Sequence, residues 1–451
     1  MTDHSYDVIV IGAGFAGLSC AAALADGGAR VLVLESRATL GGRASTFVDA
    51  ATGEEVDNGQ HLMLGCYHET FAFLDLVGAR DLVRVQSSLE VPFVDESGRM
   101  SVLVCPTLPS PLHLLGGLLE WEALGWRDRL SAFNLAAPIR RTQRFLRTGK
   151  GWLPASGGET VENWLIRNGQ ARRLRDMLWE PLGLAALNQP ISEAAAPPFV
   201  RVLARMLGPD PRDAAVAVPL RPLTAMYAEP ARRFVEGRGG TVRVSSPAKV
   251  AVEAGRVVGV DVRADRTCAP AVVVAVPWFA LPELFTGEVA PLDTLLSAAR
   301  AVTASPIVTV NLWLDRPVLP GEFVGLPGRT FQWVFDKRQV LGDSASHLSF
   351  VSSGAASVVA ESNDALAQRA HEELVAAFPS ARAAAVLRSV VVRERRATFS
   401  LAPSQPPRPV TRTPISGLWL AGDWVDTELP ASIEGAVLSG HQAAQAVCSQ
   451  G

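Results

Sequence analysis

Short runs of Val, Ile and Leu recur along the chain, and a longer Ala-rich stretch follows the first of them. Residues 6–12 and 29–34 are apolar runs of the length expected for buried parallel strands, and residues 18–25 between them predict a helix. Residues 271–276 and 418–421 are further runs of the same kind. The alternation of buried strands with helices predicts an α/β fold with a parallel sheet.

A glycine-rich turn connects the first strand to the first helix. Its sequence at 12–17 is a GxGxxG motif, and Glu35 ends the second strand eighteen residues after the last glycine. This spacing is typical of dinucleotide binding, because the glycines let the backbone approach a pyrophosphate at the helix N-terminus. The carboxylate of Glu35 can accept a hydrogen bond from a ribose hydroxyl. The candidate pyrophosphate residues are Gly12, Gly14, Phe15, Ala16 and Gly17.

Further segments favour a flavin over a nicotinamide cofactor. Ser36-Arg37 is followed by Gly41-Gly42-Arg43, a second glycine pair that brings a cation close to a phosphate or a flavin oxygen. The other segments are DNGQH at 57–61, LAGDW at 420–424 and PASIEGA at 430–436. A helix that starts in this last segment and points at the flavin N1/O2 edge would stabilise the reduced, anionic flavin.

The cofactor features occur in three separated blocks of sequence. We therefore predict a Rossmann-type FAD-binding domain formed by residues 1–85, 235–290 and 406–451. Residues 86–234, which we expect to be largely helical, and 291–405, with strands near 307–314, 331–335 and 347–351, form an interleaved α+β substrate-binding domain.

Composition excludes several classes of protein. The net charge of −3 over 451 residues gives no reason to expect nucleic acid as a partner. The five cysteines form no CxxC pair, which predicts a reduced, cytoplasmic location, and the few histidines show no metal-ligand spacing, so no metal site is expected. The polar N-terminus gives no sign of a signal peptide, and no apolar run is long enough to cross a membrane.

These segments, in this order, resemble the flavin amine oxidase and carotenoid desaturase superfamily. The resemblance implies FAD, with Gly12 to Gly17 at its pyrophosphate and Glu35 at the adenosine ribose. It further implies that Val250 offers backbone atoms to adenine and that Asp423 bonds the ribityl chain or a phosphate. The remaining cofactor residues implied are Ser36, Arg37, Gly42, Arg43, Gly59, Gln60, Gly422, Ser432 and Ile433.

Amine oxidases of this superfamily place a lysine near flavin N5 on the sheet of the substrate domain. This chain has only Lys150, Lys249 and Lys337, of which only Lys337 is even roughly available for that position. Amine oxidation is therefore disfavoured. A porphyrinogen oxidase and a flavin-binding scaffold without turnover are further alternatives.

Two phrases resemble the squalene-associated branch, the hydroxysqualene dehydroxylases. They are DNGQHLMLGCY at 57–67 and LPASIEGAVLSG at 429–440. The resemblance implies reductive loss of an allylic hydroxyl from a C30 isoprenoid, with hydride from reduced flavin N5, in hopanoid or triterpenoid synthesis. We predict that His61 acts as the acid and that Asp57 orients the loop; alternatively, both residues only fix the loop by hydrogen bonds. An isoprenoid desaturase or isomerase, which would bind a similar long apolar substrate, is an alternative.

A C30 substrate suggests contact with lipid and functional coupling to squalene-synthase-like enzymes. Residues 108–126 are apolar, too short to span a membrane and contain Trp121 and Trp126, which interfaces favour. This pattern predicts a peripheral membrane surface, and a buried helix of the substrate domain explains it equally well.

Overall fold

A computed structural model of the chain describes residues 5–342 and 346–449. Its strands in chain order are β1 Val8–Ile11, β2 Val31–Leu34, β3 Thr46–Val48, β4 Glu55–Asp57, β5 Met63–Leu64, β6 Val83–Val85, β7 Glu90–Val94, β8 Met100–Val104, β9 Val216–Pro219, β10 Thr241–Arg243, β11 Ala248–Glu253, β12 Arg256–Val262, β13 Asp265–Thr267, β14 Ala271–Val274, β15 Phe285–Gly287, β16 Ala304–Leu314, β17 Phe323–Gly325, β18 Trp333–Asp336, β19 Ser346–Ser353, β20 Val386–Phe399 and β21 Leu418–Leu420.

The helices lie between these strands and form most of the region from 112 to 206. In chain order they are α1 Phe15–Asp26, α2 His68–Leu76, α3 Leu112–Glu120, α4 Trp126–Ser131, α5 Ala136–Thr148, α6 Val161–Arg167, α7 Arg172–Leu174, α8 Glu180–Leu187, α9 Ala196–Met206, α10 Glu229–Gly237, α11 Asp293–Ala301, α12 Lys337–Leu341, α13 Asn363–Ala377 and α14 Ile433–Cys448.

A five-stranded parallel sheet has the order β10-β2-β1-β14-β21. The chain moves from β1 outwards to β2 and β10, and then returns to the other side of β1 to add β14 and β21. The order therefore reverses at the β1–β14 boundary, and ligands of such sheets bind in the crevice at the carboxyl ends of the strands at that point. The glycine turn at 12–17 directly follows β1 and so lies at this crevice.

A seven-stranded mixed sheet has the order β20-β16-β19-β18-β17-β7-β8. One face carries Val308, Val310 and Leu312 and packs under α13 in a separate apolar cluster. The other face carries alternate residues such as Thr309 and Asn311, because successive side chains of a strand point to opposite faces. This second face belongs to the site described below.

Strands β7 and β8 are the chief exception within residues 86–234, which are otherwise largely helical, as expected. They form a hairpin at the edge of the mixed sheet, with Val91 and Phe93 buried and Gly98 in the turn at a φ of +81°. The alternation of buried residues in β7 is a strand signal, but it extends over only five residues and is overshadowed by the helical sequence that follows.

The packing of β9 and α10 bears on one predicted domain boundary. Strand β9 pairs with β5 and β6, and α10 packs against α1. The ring of Tyr227 stacks on Phe15 with 3.6 Å between centroids, and its hydroxyl donates to the carbonyl of Gly41 at 2.8 Å. We therefore propose that the cofactor-binding unit includes residues 216–237, and that the other predicted boundaries stand as first placed.

Candidate functional site

The turn at 12–17 accepts only glycine at two positions. Gly12 has a φ of +106°, and a Cβ there would lie 2.7 Å from the carbonyl oxygen of Ala275, which follows β14. A Cβ on Gly17 would lie 1.8 Å from the carbonyl oxygen of Gly12. Gly14 has only distant neighbours, and no side chain caps the N-terminus of α1 within the residues described. The first turn of α1 thus presents backbone N–H groups and a positive dipole end for an anion.

Glu35 is a buried carboxylate at the end of β2. One oxygen accepts from the amide of Ala13 at 2.9 Å, and the other accepts from the amide of Arg37 and the hydroxyl of Ser36. A carboxylate has about four lone-pair sites. These contacts fix Glu35 beside the glycine turn and leave it able to accept one further hydrogen bond, as the predicted ribose contact requires.

An ion pair joins the second glycine loop to the C-terminal motif. Arg43 donates to Asp423 at 2.5 Å and to the carbonyl of Ala397 at 2.8 Å. Both loops have glycine backbones in the left-handed half of φ, with Gly42 at +58° and Gly422 at +141°. Arg37 donates to the carbonyl of Gly42 at 3.2 Å, so the predicted phosphate and ribityl residues form one connected rim.

The C-terminal helix α14 begins at the predicted flavin contact. The Ser432 hydroxyl caps it by accepting from the amide of Gly435 at 3.1 Å, and Ile433 is its first residue. The side chain of Glu434 accepts from the amide and hydroxyl of Thr70 at the start of α2. The starts of α14 and α2 are therefore held together.

The backbone contacts of Val250 bear on its predicted contact with adenine. Its amide donates to the carbonyl of Leu284 at 2.8 Å, and its side chain is fully buried in β11. The adenine contact of Val250 therefore stays a prediction, and it would need backbone atoms other than this amide.

The loop at 57–61 contacts a buried lysine at the end of β18. The Lys337 ammonium lies 3.1 Å from Asp57 Oδ2 and 2.6 Å from Gln60 Oε1, and both charged side chains are at most 5% exposed. Asp57 Oδ1 also accepts from the hydroxyl of Thr46 and the amide of Leu223. These contacts immobilise Asp57 and the start of the loop.

Two neutral imidazoles lie beside this ion pair. Burial is the main cause that lowers the pKa of His61, whose Nδ1 lies 2.8 Å from the carbonyl oxygen of Gly59. Burial, together with the nearby Lys337 ammonium, lowers the pKa of His347 to about 3. We call Asp57, Gln60, His61, Lys337 and His347 the polar cluster.

Aromatic side chains continue the same sheet face away from the polar cluster. Paired residues of neighbouring strands lie on the same face of a sheet. Thr309 pairs with Val351, Val351 pairs with Trp333, and Trp333 pairs with Gly325, which in turn pairs with a residue of β7. We call the adjoining rings the aromatic wall; they are Phe93, Phe323, Trp333 and Phe335, with centroids about 6 Å apart.

The residues that sequence reasoning missed come from this face. Lys337 was considered only as an amine-oxidase lysine and disfavoured, yet it is the ion-pair partner of Asp57. The sequence signal that could have identified Lys337 is that one of only three lysines lies two residues after a predicted strand. Asn311 and His347 carry no motif, and only the pairing of β16 with β19 brings them together.

A separate cavity of about 230 Å³ lies beside Trp424, next to Asp423. Its lining is mostly apolar and includes Phe399, Leu401 and Val302. The volume is below that of most ligand pockets, so this cavity would hold only part of a long molecule.

Comparison with known proteins now decides the family. Residues 15–448 match the model for flavin-containing amine oxidoreductases. The chain belongs to this family. It is an FAD-dependent oxidoreductase, and both the predicted cofactor and the predicted mixed α/β fold are confirmed.

Individual relatives show which members of the family this chain is similar to. The chain is 31% identical, over 98% of its length and 99% of the relative, to a protein of Sinorhizobium fredii named hydroxysqualene dehydroxylase. It is 26% identical, over 99% of its length and 80% of the relative, to the 15-cis-phytoene desaturase of Narcissus pseudonarcissus. An oxidoreductase structure from Methanosarcina mazei aligns with a TM-score of 0.76 at 18% identity, covering 97% of this chain and 99% of that one, which supports the fold alone. The predicted resemblance to hydroxysqualene dehydroxylases is confirmed.

The cofactor crevice fits FAD on structural grounds. The uncapped start of α1 offers N–H groups to a pyrophosphate, and Glu35 keeps an acceptor for a ribose hydroxyl. The Arg43–Asp423 pair supplies a cation and a hydrogen-bond acceptor at the same edge.

Proposed function

We propose that this protein catalyses FAD-dependent reductive dehydroxylation of hydroxysqualene to squalene, a step of hopanoid or triterpenoid synthesis. The structural observation that carries the proposal is the polar cluster at one end of an aromatic wall. An apolar wall with a confined polar end suits a long hydrocarbon that carries a single polar group. The name of the Sinorhizobium fredii relative supports the same substrate.

The residues have separable roles in this reaction. Bound FAD, when reduced, supplies the hydride that replaces the hydroxyl. The glycine turn, Glu35 and the Arg43–Asp423 pair would hold the cofactor, and the aromatic wall would exclude water from the reacting carbon. Asp57 and Lys337 would hold the loop at 57–61 so that His61 faces the site. Asp57 accepts from the amide of Leu223, and Lys337 donates to Asp57 and Gln60, and these hydrogen bonds immobilise the loop.

His61 remains the proposed acid for the leaving hydroxyl. Its Nδ1 is committed to the carbonyl of Gly59, so Nε2 is the atom that would carry the transferred proton. Because burial lowers its pKa, the protonated form becomes scarce at neutral pH, and turnover should rise as the pH falls below about 6.5. A pH profile that is the same in wild type and His61→Gln would remove this role.

An isoprenoid desaturase is the second candidate, supported by the phytoene desaturase relative. It would use the same aromatic wall but run the flavin in the opposite redox direction. The direction of flavin change therefore separates the two functions.

The decisive test is an anaerobic single turnover with purified holoenzyme. Chemically reduced enzyme is mixed with hydroxysqualene in detergent, and oxidised enzyme with squalene or phytoene, while flavin absorbance and extracted lipid are followed. We expect flavin reoxidation with one squalene formed per flavin in the first mixture only. Flavin bleaching by phytoene or squalene, with no reaction of hydroxysqualene, would assign a desaturase instead.

We also propose that the protein binds a membrane surface, through Trp126 at the end of the predicted stretch and the residues that follow it. Leu114, Leu118 and Trp121 are at most 9% exposed, and the Trp121 indole donates to Ser101, so these residues pack in the core, whereas Leu108 and Leu112 are 41 and 53% exposed. Helix α3 fills the space under β8, which explains why its apolar face turns inward. Of the predicted tryptophans only Trp126 is exposed, at 69%.

The exposed surface continues from Trp126 along α4 and α5. Trp126, Leu130 and Phe133 are 69, 59 and 41% exposed and follow helical spacing. Arginines at 140, 144 and 147 follow at the same spacing, all exposed. Apolar residues beside a basic stripe are typical of helices that lie on anionic lipid. No helix within 5–342 and 346–449 combines the length and apolar character needed to cross a bilayer.

Vesicle co-sedimentation tests this surface. Trp126→Ser with Leu130→Ser should weaken binding to both neutral and anionic vesicles, whereas Arg140→Gln with Arg144→Gln should weaken only binding to anionic ones. Leu387→Ser is the matched control, since Leu387 is 68% exposed on the opposite edge strand β20. Binding that is equal in all variants would remove the proposed surface. A location at the cytoplasmic membrane surface and coupling to squalene-synthase-like enzymes rest on the same proposal.

A further inference from the structure

Two polar groups on the sheet face have no hydrogen-bond partner within the described part of the chain. They are the hydroxyl of Thr309 and the amide nitrogen of Asn311, and each residue is only 1% exposed. A buried polar group without a partner destabilises a fold, so native proteins rarely keep one without a use. Two such groups on adjacent positions of one face point to a ligand.

The spacing of the two groups fits a single oxygen atom. Thr309 and Asn311 are two residues apart on β16, which places their Cα atoms about 6.8 Å apart on the same face. A hydroxyl oxygen about 2.9 Å from each of two partners, at roughly the tetrahedral angle, joins atoms about 4.7 Å apart, a separation that side chains on these two Cα atoms can reach. One hydroxyl group between them satisfies both.

The surroundings place this pair where the substrate's polar end belongs. A Cβ on Gly59 would lie 3.4 Å from the Thr309 hydroxyl, so Thr309 abuts the loop that carries His61. Asn311 Oδ1 lies 2.9 Å from Nε2 of His347, a contact that orients the amide and leaves its N–H groups unused. Thr309 pairs with Val351, which pairs with Trp333 of the aromatic wall, so the two groups lie next to that wall on the same face.

We propose that Thr309 and Asn311 form the subsite that binds the hydroxyl of an otherwise apolar substrate, a specificity that rests on the proposed function. The amide of Asn311 donates to the hydroxyl oxygen, and the hydroxyl proton is donated to Thr309 Oγ1. A hydrocarbon without the hydroxyl leaves both groups unpaired and is therefore discriminated against.

Ligand binding to oxidised holoenzyme tests the subsite without turnover. Hydroxysqualene and squalene are titrated in detergent, and perturbation of the flavin spectrum reports binding. We expect wild type to prefer hydroxysqualene by about tenfold or more, from the hydrogen bonds that only the alcohol makes. Thr309→Val should bring the two affinities together by weakening hydroxysqualene alone, and Thr309→Ser should restore the preference.

Stability supplies a second readout. Thr309→Val replaces an unpaired buried hydroxyl by a methyl group of similar size, so it should raise the Tm of ligand-free holoenzyme. The control Thr142→Val removes an equally buried hydroxyl that donates to Pro138 in α5, and it should lower the Tm and leave ligand preference unchanged.

Three results would overturn the subsite, and they are distinguishable. If wild type turns over hydroxysqualene and Thr309→Val keeps the full preference, the proposed function stands and the subsite is wrong. If Thr309→Val alters the flavin spectrum before any ligand is added, the hydroxyl faces the cofactor instead. If wild type neither binds nor converts hydroxysqualene, the proposed function fails together with the subsite.

Discussion

The cofactor crevice and the aromatic wall with its polar cluster are built in contrasting ways. The crevice consists of residues that directly follow parallel strands, so Gly12 and Glu35 lie close together because β1 and β2 are neighbours. The wall takes every second residue from strands that are distant in the chain, such as Phe93 in β7 and Trp333 in β18. Backbone conformation governs the first region, and side-chain register governs the second.

This contrast determines how each region responds to substitution. In the crevice a single Cβ collides with backbone that cannot move. On the wall, side chains can be replaced by others of similar shape, and the consequences depend on which hydrogen bond or charge is lost.

The largest effect is expected in the glycine turn. Gly17→Ala places a Cβ 1.8 Å from the carbonyl oxygen of Gly12, so the turn must open and FAD binding should be lost. Gly237→Ala, at the end of α10, is the matched control, since a Cβ there meets no neighbouring atom within 4 Å. The ratio of flavin absorbance to protein measures the outcome. Equal flavin content in both variants would contradict the backbone account of the crevice.

A large effect is also expected at the buried ion pair. Lys337→Met or Asp57→Asn leaves the other partner buried without its counterpart and should cost about 3–5 kcal/mol of unfolding free energy. The double variant should cost clearly less than the sum of the two, because it removes both charges. Denaturant unfolding of holoenzyme measures this cycle. Additive losses would show that the two side chains do not interact.

A smaller, pH-dependent effect is expected at His347. Its folded-state pKa of about 3 lies below the unfolded value of about 6.5, so the unfolded state binds the proton more readily. Stability is complete above pH 6.5 and is lost as the pH falls towards 3, by up to about 1.4 kcal/mol per pH unit.

His347→Gln should therefore flatten the fall in stability between pH 6.5 and 5, as measured by denaturant unfolding. His68→Gln, at a ring that is 70% exposed, is the control. An unchanged slope in His347→Gln would mean that the imidazole is not held neutral by its surroundings.

The sequence predicted the crevice closely because its signals are local. The helix predicted to start within residues 430–436 begins at Ile433, and the first strand, turn and helix occur as expected. The surroundings of Val250 are less local: its amide pairs with Leu284, a contact set by the parallel alignment of β11 with β15 that no local motif encodes.

The polar cluster could be predicted only in part. Asp57 and His61 belong to a recognisable phrase, but their environment depends on Lys337, which is 280 residues beyond Asp57. The predicted membrane stretch depends on packing in a related way: apolar composition at 108–126 does not reveal that β8 lies beneath it and buries Leu118, while Leu112 and Trp126 stay exposed. Long-range packing decided both cases.

A crystal structure of the holoenzyme with hydroxysqualene bound would test most directly whether the two regions form one site. The account predicts that the hydroxyl oxygen lies within hydrogen-bond distance of Thr309 and Asn311, with the carbon chain along the aromatic wall. A chain bound in the cavity beside Trp424, with its hydroxyl remote from the loop at 57–61, would contradict it.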